Sequence, residues 1–143
     1  MLKEQIYQFY GHKIRVRVCG ILIKKDKLLM LKHDGIGKSD FFWNTPGGEP
    51  ENNENLKTAL IREFKEETGL DVTIGKLLYS NQFIDSPLHA IEYYFETFAE
   101  QSNAVLGKDP ENINVLSALK WFNKSEFESL HQDVKPQFLK TIF

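Results

Sequence analysis

Two glutamates fall on the wrong side of a helix in this chain, and that placement constrains it more than any other feature. At about 100° per residue, Leu56, Ala59, Leu60 and Phe64 share one side of a helix that begins near Leu56, the stripe expected to face a core. Glu63 and Glu67 fall on that same side. An ordinary amphipathic helix keeps its acids on the opposite face, and buried carboxylates are costly unless they are paired or hold a metal. Glu66 sits one step around, so three carboxylates edge a single groove, with Arg62 beside them four residues before Glu66.

Hard divalent cations such as Mg²⁺ take several oxygen ligands while keeping some waters and substrate phosphates in their shell. Three clustered glutamates supply the protein's share. Just before the helix, Pro46-Gly47-Gly48 reads as a turn in which missing side chains let the backbone approach a ligand and turn a carbonyl inward. Asn55 fits the N-cap position, and Gly69 the left-handed stop after the helix.

From Gly48 to Leu70 the spacing reads G-x5-E-x7-REFKEETGL, with Glu54 as the spaced acid. This closely resembles the signature of the Nudix hydrolases, with every charged and glycine position in place. Taken alone, a run such as REFKEE is ordinarily a solvated helix face; the spaced glycine and Glu54, in a loop-then-helix context, favour the catalytic reading. Phe64 stands where the family usually has an aliphatic residue, and Thr45 where one commonly precedes the Pro-Gly-Gly turn. Both departures concern packing rather than chemistry.

The resemblance implies an α/β fold, an α/β/α sandwich with a mixed β-sheet. It also implies Mg²⁺-dependent chemistry, with Mn²⁺ a substitute, that cleaves a pyrophosphate bond in a nucleoside diphosphate linked to another group. By matching position, the Gly48 carbonyl with Glu66, Glu67 and Glu63 would hold metal, Glu63 would also be the general base, and Arg62 would orient the carboxylates with Glu54 as its partner. Relatives that hydrolyse triphosphates bring a further glutamate from a late loop, for which Glu111 is the nearest candidate. Small nucleotides such as nucleoside triphosphates are the favoured substrates. ADP-ribose or a nucleotide sugar is the alternative, and a catalytically silent nucleotide-binding regulator is a third reading, although such modules generally lose the glutamates retained here.

Residues 1–143 read as one domain, with 41% apolar and 27% charged residues. A formal charge of −2 equips the chain poorly to grip a nucleic-acid backbone, so the expected partner is a small nucleotide. Monomer and homodimer stay open. The start, MLKEQIYQFYGHK, lacks the apolar run of a signal peptide, and no stretch suggests a membrane span, so a cytoplasmic location is expected. The only cysteine, Cys19, lies in an apolar strand and reads as core.

Along the chain, residues 14–24 and Leu28–Leu31 form a hairpin around Lys25-Asp26-Lys27. His33 through Asp40 reads as a loop. Phe41, Phe42 and Trp43 precede the glycine turn as core aromatics, or as platforms on which Phe42 or Trp43 stacks a base. Asp71–Tyr79 is a strand interrupted at Gly75 by a bulge or turn, and His89–Phe98 another, after a turn at Asp85-Ser86-Pro87. The pattern predicts a polar loop over 100–114, a strand over 118–122, a short helix capped by Ser125 and a terminal helix over 135–143. The four histidines lack zinc spacing, and no serine elbow, paired-cysteine motif or Walker loop is present.

Overall fold

The computed structural model describes residues 1–108 and 115–143. Its elements are α1 (Leu2–Tyr10), β1 (Lys13–Ile21), β2 (Ile23–Lys24), β3 (Lys27–Asp34), β4 (Phe41–Asn44), β5 (Gly47–Gly48), α2 (Leu56–Thr68), β6 (Thr73–Asp85), β7 (Leu88–Phe98), β8 (Leu116–Phe122) and α3 (Lys124–Ser129). Two 3-10 turns follow, at Gln132–Val134 and Gln137–Thr141.

Two sheets form. The first runs β5-β1-β7-β6 and is mixed: β1 lies parallel to β7 and antiparallel to β5, and β6 lies antiparallel to β7. The second is antiparallel, with β3 in the middle, β8 along one side, and β2 and β4 along the other. Lys25 and Asp26, at φ 50° and 63°, make the tight β2–β3 turn in the left-handed conformation that suits the strand twist.

Alternation along the strands supplies a core on each face. Val18 and Leu29 join Ala59, Leu60 and Phe64 of α2 in one cluster. Cys19, Ile21, Leu28 and Met30 face the other way, onto Phe127 of α3 and Leu139 of the last turn. Helix, strands, and helix with turns therefore make the expected α/β/α layering. The bulky Phe64 is accommodated by Gly20, since a Cβ at that position would strike the Phe64 ring.

Helix α2 begins and ends at the residues expected. The Asn55 side chain accepts from the Thr58 N–H at 2.8 Å. Gly69, at φ 73°, returns its N–H to the Lys65 carbonyl, and Thr68 Oγ1 donates to the Phe64 carbonyl at 2.7 Å.

Several expectations need correction. Strand β3 extends through His33 and Asp34, because β4 and β8 both pair with that end and order residues that look like loop in isolation. The irregularity expected at Gly75 is present as a shift in the register of β6 with β7 between Ile74 and Leu77, but the strand runs on past Tyr79 to Asp85. Asn123, not Ser125, caps α3, in a reciprocal capping box with Glu126 that places Ser125 inside the first turn. The terminal segment forms 3-10 turns rather than an α-helix, since Pro136 cannot donate to a continuing helical ladder. α1 was not anticipated. Among the described residues no helix is long and apolar enough to cross a membrane.

Candidate active site

Helix α2 and the short strand β5 bring the sequence-predicted carboxylates against the glycine turn. β5 pairs with β1 at Val18↔Gly48 and Cys19↔Gly47, which pins the turn to the first sheet. The Gly47 N–H donates to Glu67 Oε1 at 2.9 Å. Glu63 lies so close to Gly48 that a Cβ there would sit 2.6 Å from both its carboxylate oxygens. Glu63 and Glu67 are buried, at 4% and 6% exposure, although both line the cleft.

Arg62 gathers the remaining acids. Its Nε and one terminal nitrogen bind the two Glu54 oxygens at 2.9 and 2.8 Å. The other terminal nitrogen reaches Glu63 Oε1 at 3.0 Å and Glu66 at 3.4 Å. Hydrogen bonding from Arg62, helped by the Glu51 N–H, pulls the Glu54 carboxyl down to about 2. The same bond to Glu54 raises the Arg62 guanidinium above its ordinary value. Glu66 lies beside Arg62 rather than along the cleft wall.

Beyond the carboxylates a concave cleft opens between β1, β4 and β7. Its floor is polar. Arg17 donates to Glu92 Oε2 at 3.0 Å; Asn81 and the Tyr94 hydroxyl donate to Glu92 Oε1 at 3.2 and 3.1 Å. Asn44 Oδ1 lies at the same 3.1 Å from the Tyr94 hydroxyl, whose single proton is shared between the two oxygens. Burial opposes the charge of Arg17, yet the surrounding groups, including Cys19, Glu92 and Glu67, raise its guanidinium above the ordinary value. Arg15, on the same face of β1, binds Glu49 Oε1 at 2.9 Å. Burial pushes the His33 imidazole down to about 3, with Arg17 adding to the effect, so the ring is neutral near pH 7. The far half of the cleft is apolar, lined by Ile36, Phe42, Phe83, Leu88 and Leu116.

Phe42 lines this cleft, whereas Trp43 takes the core-packing alternative. Adjacent residues of β4 point to opposite faces, and Trp43 packs edge-on against Phe122 at 4.9 Å on the other side. It belongs to the core beneath α3. Glu111 lies outside the described residues. The sequence reading missed Arg17 and Glu92. The available signal was local: Arg15 and Arg17 alternate with apolar residues in β1, and Glu92 interrupts the aromatic run of β7, both unusual in strands buried on two faces.

Among the described residues, no three carboxylate, histidine or cysteine side chains already stand close enough together to cage an ion. The donor chemistry nonetheless suits a hard cation that keeps waters and substrate phosphates in its shell. Two buried carboxylates border the cleft, and the bare Cα of Gly48 leaves its backbone open to them.

The family model of the NUDIX domain matches residues 12–142. The CTP pyrophosphohydrolase of Escherichia coli is 31% identical over 68 residues, 47% of this chain and 50% of its own length. The ADP-ribose pyrophosphatase of Methanocaldococcus jannaschii is 37% identical over 91 residues, 62% of this chain and 53% of its own. This chain spans about half the length of these curated relatives. Among solved structures, the MutT protein from Methanosarcina mazei superposes with a TM-score of 0.71 at 18% identity, covering 90% of this chain and 88% of that one. That likeness speaks to the fold.

Proposed function

The chain belongs to the Nudix family, and from that premise we propose that it hydrolyses a pyrophosphate bond in a small nucleotide, with Mg²⁺ or Mn²⁺ as cofactor. The observation that carries this reading is the pair of buried carboxylates, Glu63 and Glu67, set against Gly47-Gly48 at one end of a cleft that Arg15 and Arg17 also line.

The Gly48 carbonyl with Glu63, Glu66 and Glu67 would hold the metal. A bound divalent ion neutralises phosphate charge and lowers the pKa of water. Glu63, on the cleft wall, is the group to take the proton from the attacking water. Arg62 holds Glu63 in position and Glu54 in turn holds Arg62, so the base is oriented by a charge-assisted chain. Arg15 and Arg17 supply positive charge for the phosphates, while Phe42 and the apolar half of the cleft accommodate the nucleoside.

A nucleoside triphosphate is the favoured substrate, in keeping with the name of the Escherichia coli relative. The Methanocaldococcus relative's name favours ADP-ribose as a second reading. Phosphate and pyrophosphate release from triphosphates, oxidised triphosphates, ADP-ribose, nucleotide sugars and dinucleoside polyphosphates, with and without Mg²⁺, tests both. Turnover that persists in excess chelator, or none on any member of the panel, overturns the proposal.

A further inference from the structure

Helix α1 precedes the matched family region, which begins at residue 12, yet two of its side chains, Ile6 and Tyr10, line the cleft. Its placement is well tied. Near its start, Lys3 Nζ donates to the Gly37 carbonyl at 3.1 Å and pairs with Asp40 at 3.4 Å. Just past its end, the His12 N–H donates to the Pro87 carbonyl at the β6–β7 turn at 2.9 Å. The helix therefore bridges two loops that flank the apolar half of the cleft.

Its cleft-facing side is fixed with equal care. Ile6 is 1% exposed. It packs on Gly35, where a Cβ would come within 2.7 Å of Ile6 Cδ1 and where φ is +80°, so only glycine lets the helix settle this close. The Arg15 guanidinium lies over the Tyr10 ring at 4.1 Å from its centroid, an attraction that holds the ring's orientation. Arg15 is itself anchored to Glu49, next to the glycine turn. One face of Tyr10 thus serves the phosphate end through Arg15, while the helix belongs to the nucleoside end.

We propose that α1 is a substrate-specificity wall added to the family domain, with Ile6 and Tyr10 joining Phe42 and Phe83 to enclose the base of the nucleotide. The inference rests on the nucleotide reading above. Flat apolar and aromatic surfaces grip a heterocycle without contributing to phosphate binding, so α1 governs discrimination among bases and leaves the anhydride to the carboxylate end.

Binding of the four common nucleoside monophosphates and of inorganic pyrophosphate, measured by calorimetry in Mg²⁺ with the full chain, tests this separately from turnover. Tyr10→Ala is expected to weaken monophosphate binding roughly tenfold, about 1.4 kcal/mol, and to compress the differences among bases. Pyrophosphate binding should weaken less than monophosphate binding, because Glu49 still anchors Arg15 when the Tyr10 ring is removed. Tyr10→Phe should retain base discrimination, and Gln8→Ala, on the exposed side of α1, should match the wild type. Equal weakening of pyrophosphate, unchanged monophosphate binding in Tyr10→Ala, or a wild-type chain that binds pyrophosphate but no monophosphate overturns the proposal. Base-selective binding by a chain that cleaves no nucleotide would overturn the hydrolase reading and leave the α1 wall standing.

Discussion

Arg62 clasps Glu54 through both carboxylate oxygens, at 2.8 and 2.9 Å, and still has a nitrogen left to hold Glu63 at 3.0 Å. A bidentate clasp fixes the guanidinium plane as a single contact does not, so the position of Glu63 depends on Glu54, nine residues earlier in the chain.

Arg62→Ala should accordingly lower turnover by roughly 10–100-fold, the range for losing a group that orients a metal ligand. The fold should survive, since Arg62 is part-exposed and lies outside both core clusters. Arg62→Lys should recover little, because an ammonium is a point charge without the planar fork. Wild-type rates in either variant, with circular dichroism unchanged, would reduce Arg62 to a surface charge.

Two glycines should separate stability from chemistry. At Gly69, φ is 73° with nothing near the missing Cβ, so Gly69→Ala should destabilise by about 1 kcal/mol through backbone strain alone and leave turnover intact. At Gly48 the new Cβ would meet the Glu63 carboxylate. Gly48→Ala should therefore displace Glu63 and reduce turnover by at least tenfold. Denaturant unfolding beside initial rates checks both; a fully active Gly48→Ala would show that Glu63 can move without consequence.

His33 makes the protein acid-sensitive. An unfolded chain protonates this imidazole near 6.5, while the folded one resists down to about 3 because the ring is buried and Arg17 is near. Between those values the unfolded state binds more protons, so the stability present above 6.5 is lost as pH falls through that window. By pH 5 the loss from this group is on the order of 2 kcal/mol. Glu54, held down to about 2, contributes a loss of the same sign only below its ordinary value of 4.5, beneath the range in which His33 first acts. His33→Gln should flatten the denaturation midpoint over that range. A midpoint equally pH-dependent in the variant would assign the sensitivity elsewhere.

How far sequence could see depended on how local each feature is. The caps of α2, its acid-bearing apolar stripe and the Arg62–Glu54 pair are set by neighbours within a few turns, and chain spacing displays them directly. The Arg17–Glu92 contact joins residues 75 positions apart through the parallel register of β1 and β7, and no local pattern encodes that register. Trp43 and Phe42 are equivalent by composition; only the pairing of β4 with β3 decides which one faces the cleft. In α1, Leu2, Ile6 and Tyr10 have helical spacing, but a nine-residue helix is marginal until tertiary packing supports it.

Glu67 offers the sharpest separation of fold from function. Its Oε1 accepts the Gly47 N–H at 2.9 Å, and a glutamine oxygen can accept the same bond, so Glu67→Gln keeps the tie between α2 and the glycine turn. The change relieves repulsion with neighbouring carboxylates and gives up attraction to Arg17, which senses the Glu67 charge. These effects oppose one another, and the melting temperature in metal-free buffer should stay near or above that of the wild type. The added stability that Mg²⁺ gives the wild type should shrink in the variant, because a charged ligand is gone. Turnover should fall by several orders of magnitude, each tenfold step being only about 1.4 kcal/mol of barrier. A variant that melts early without metal yet hydrolyses nucleotides normally would show that Glu67 serves the fold, and that the acidic stripe on α2 is structural.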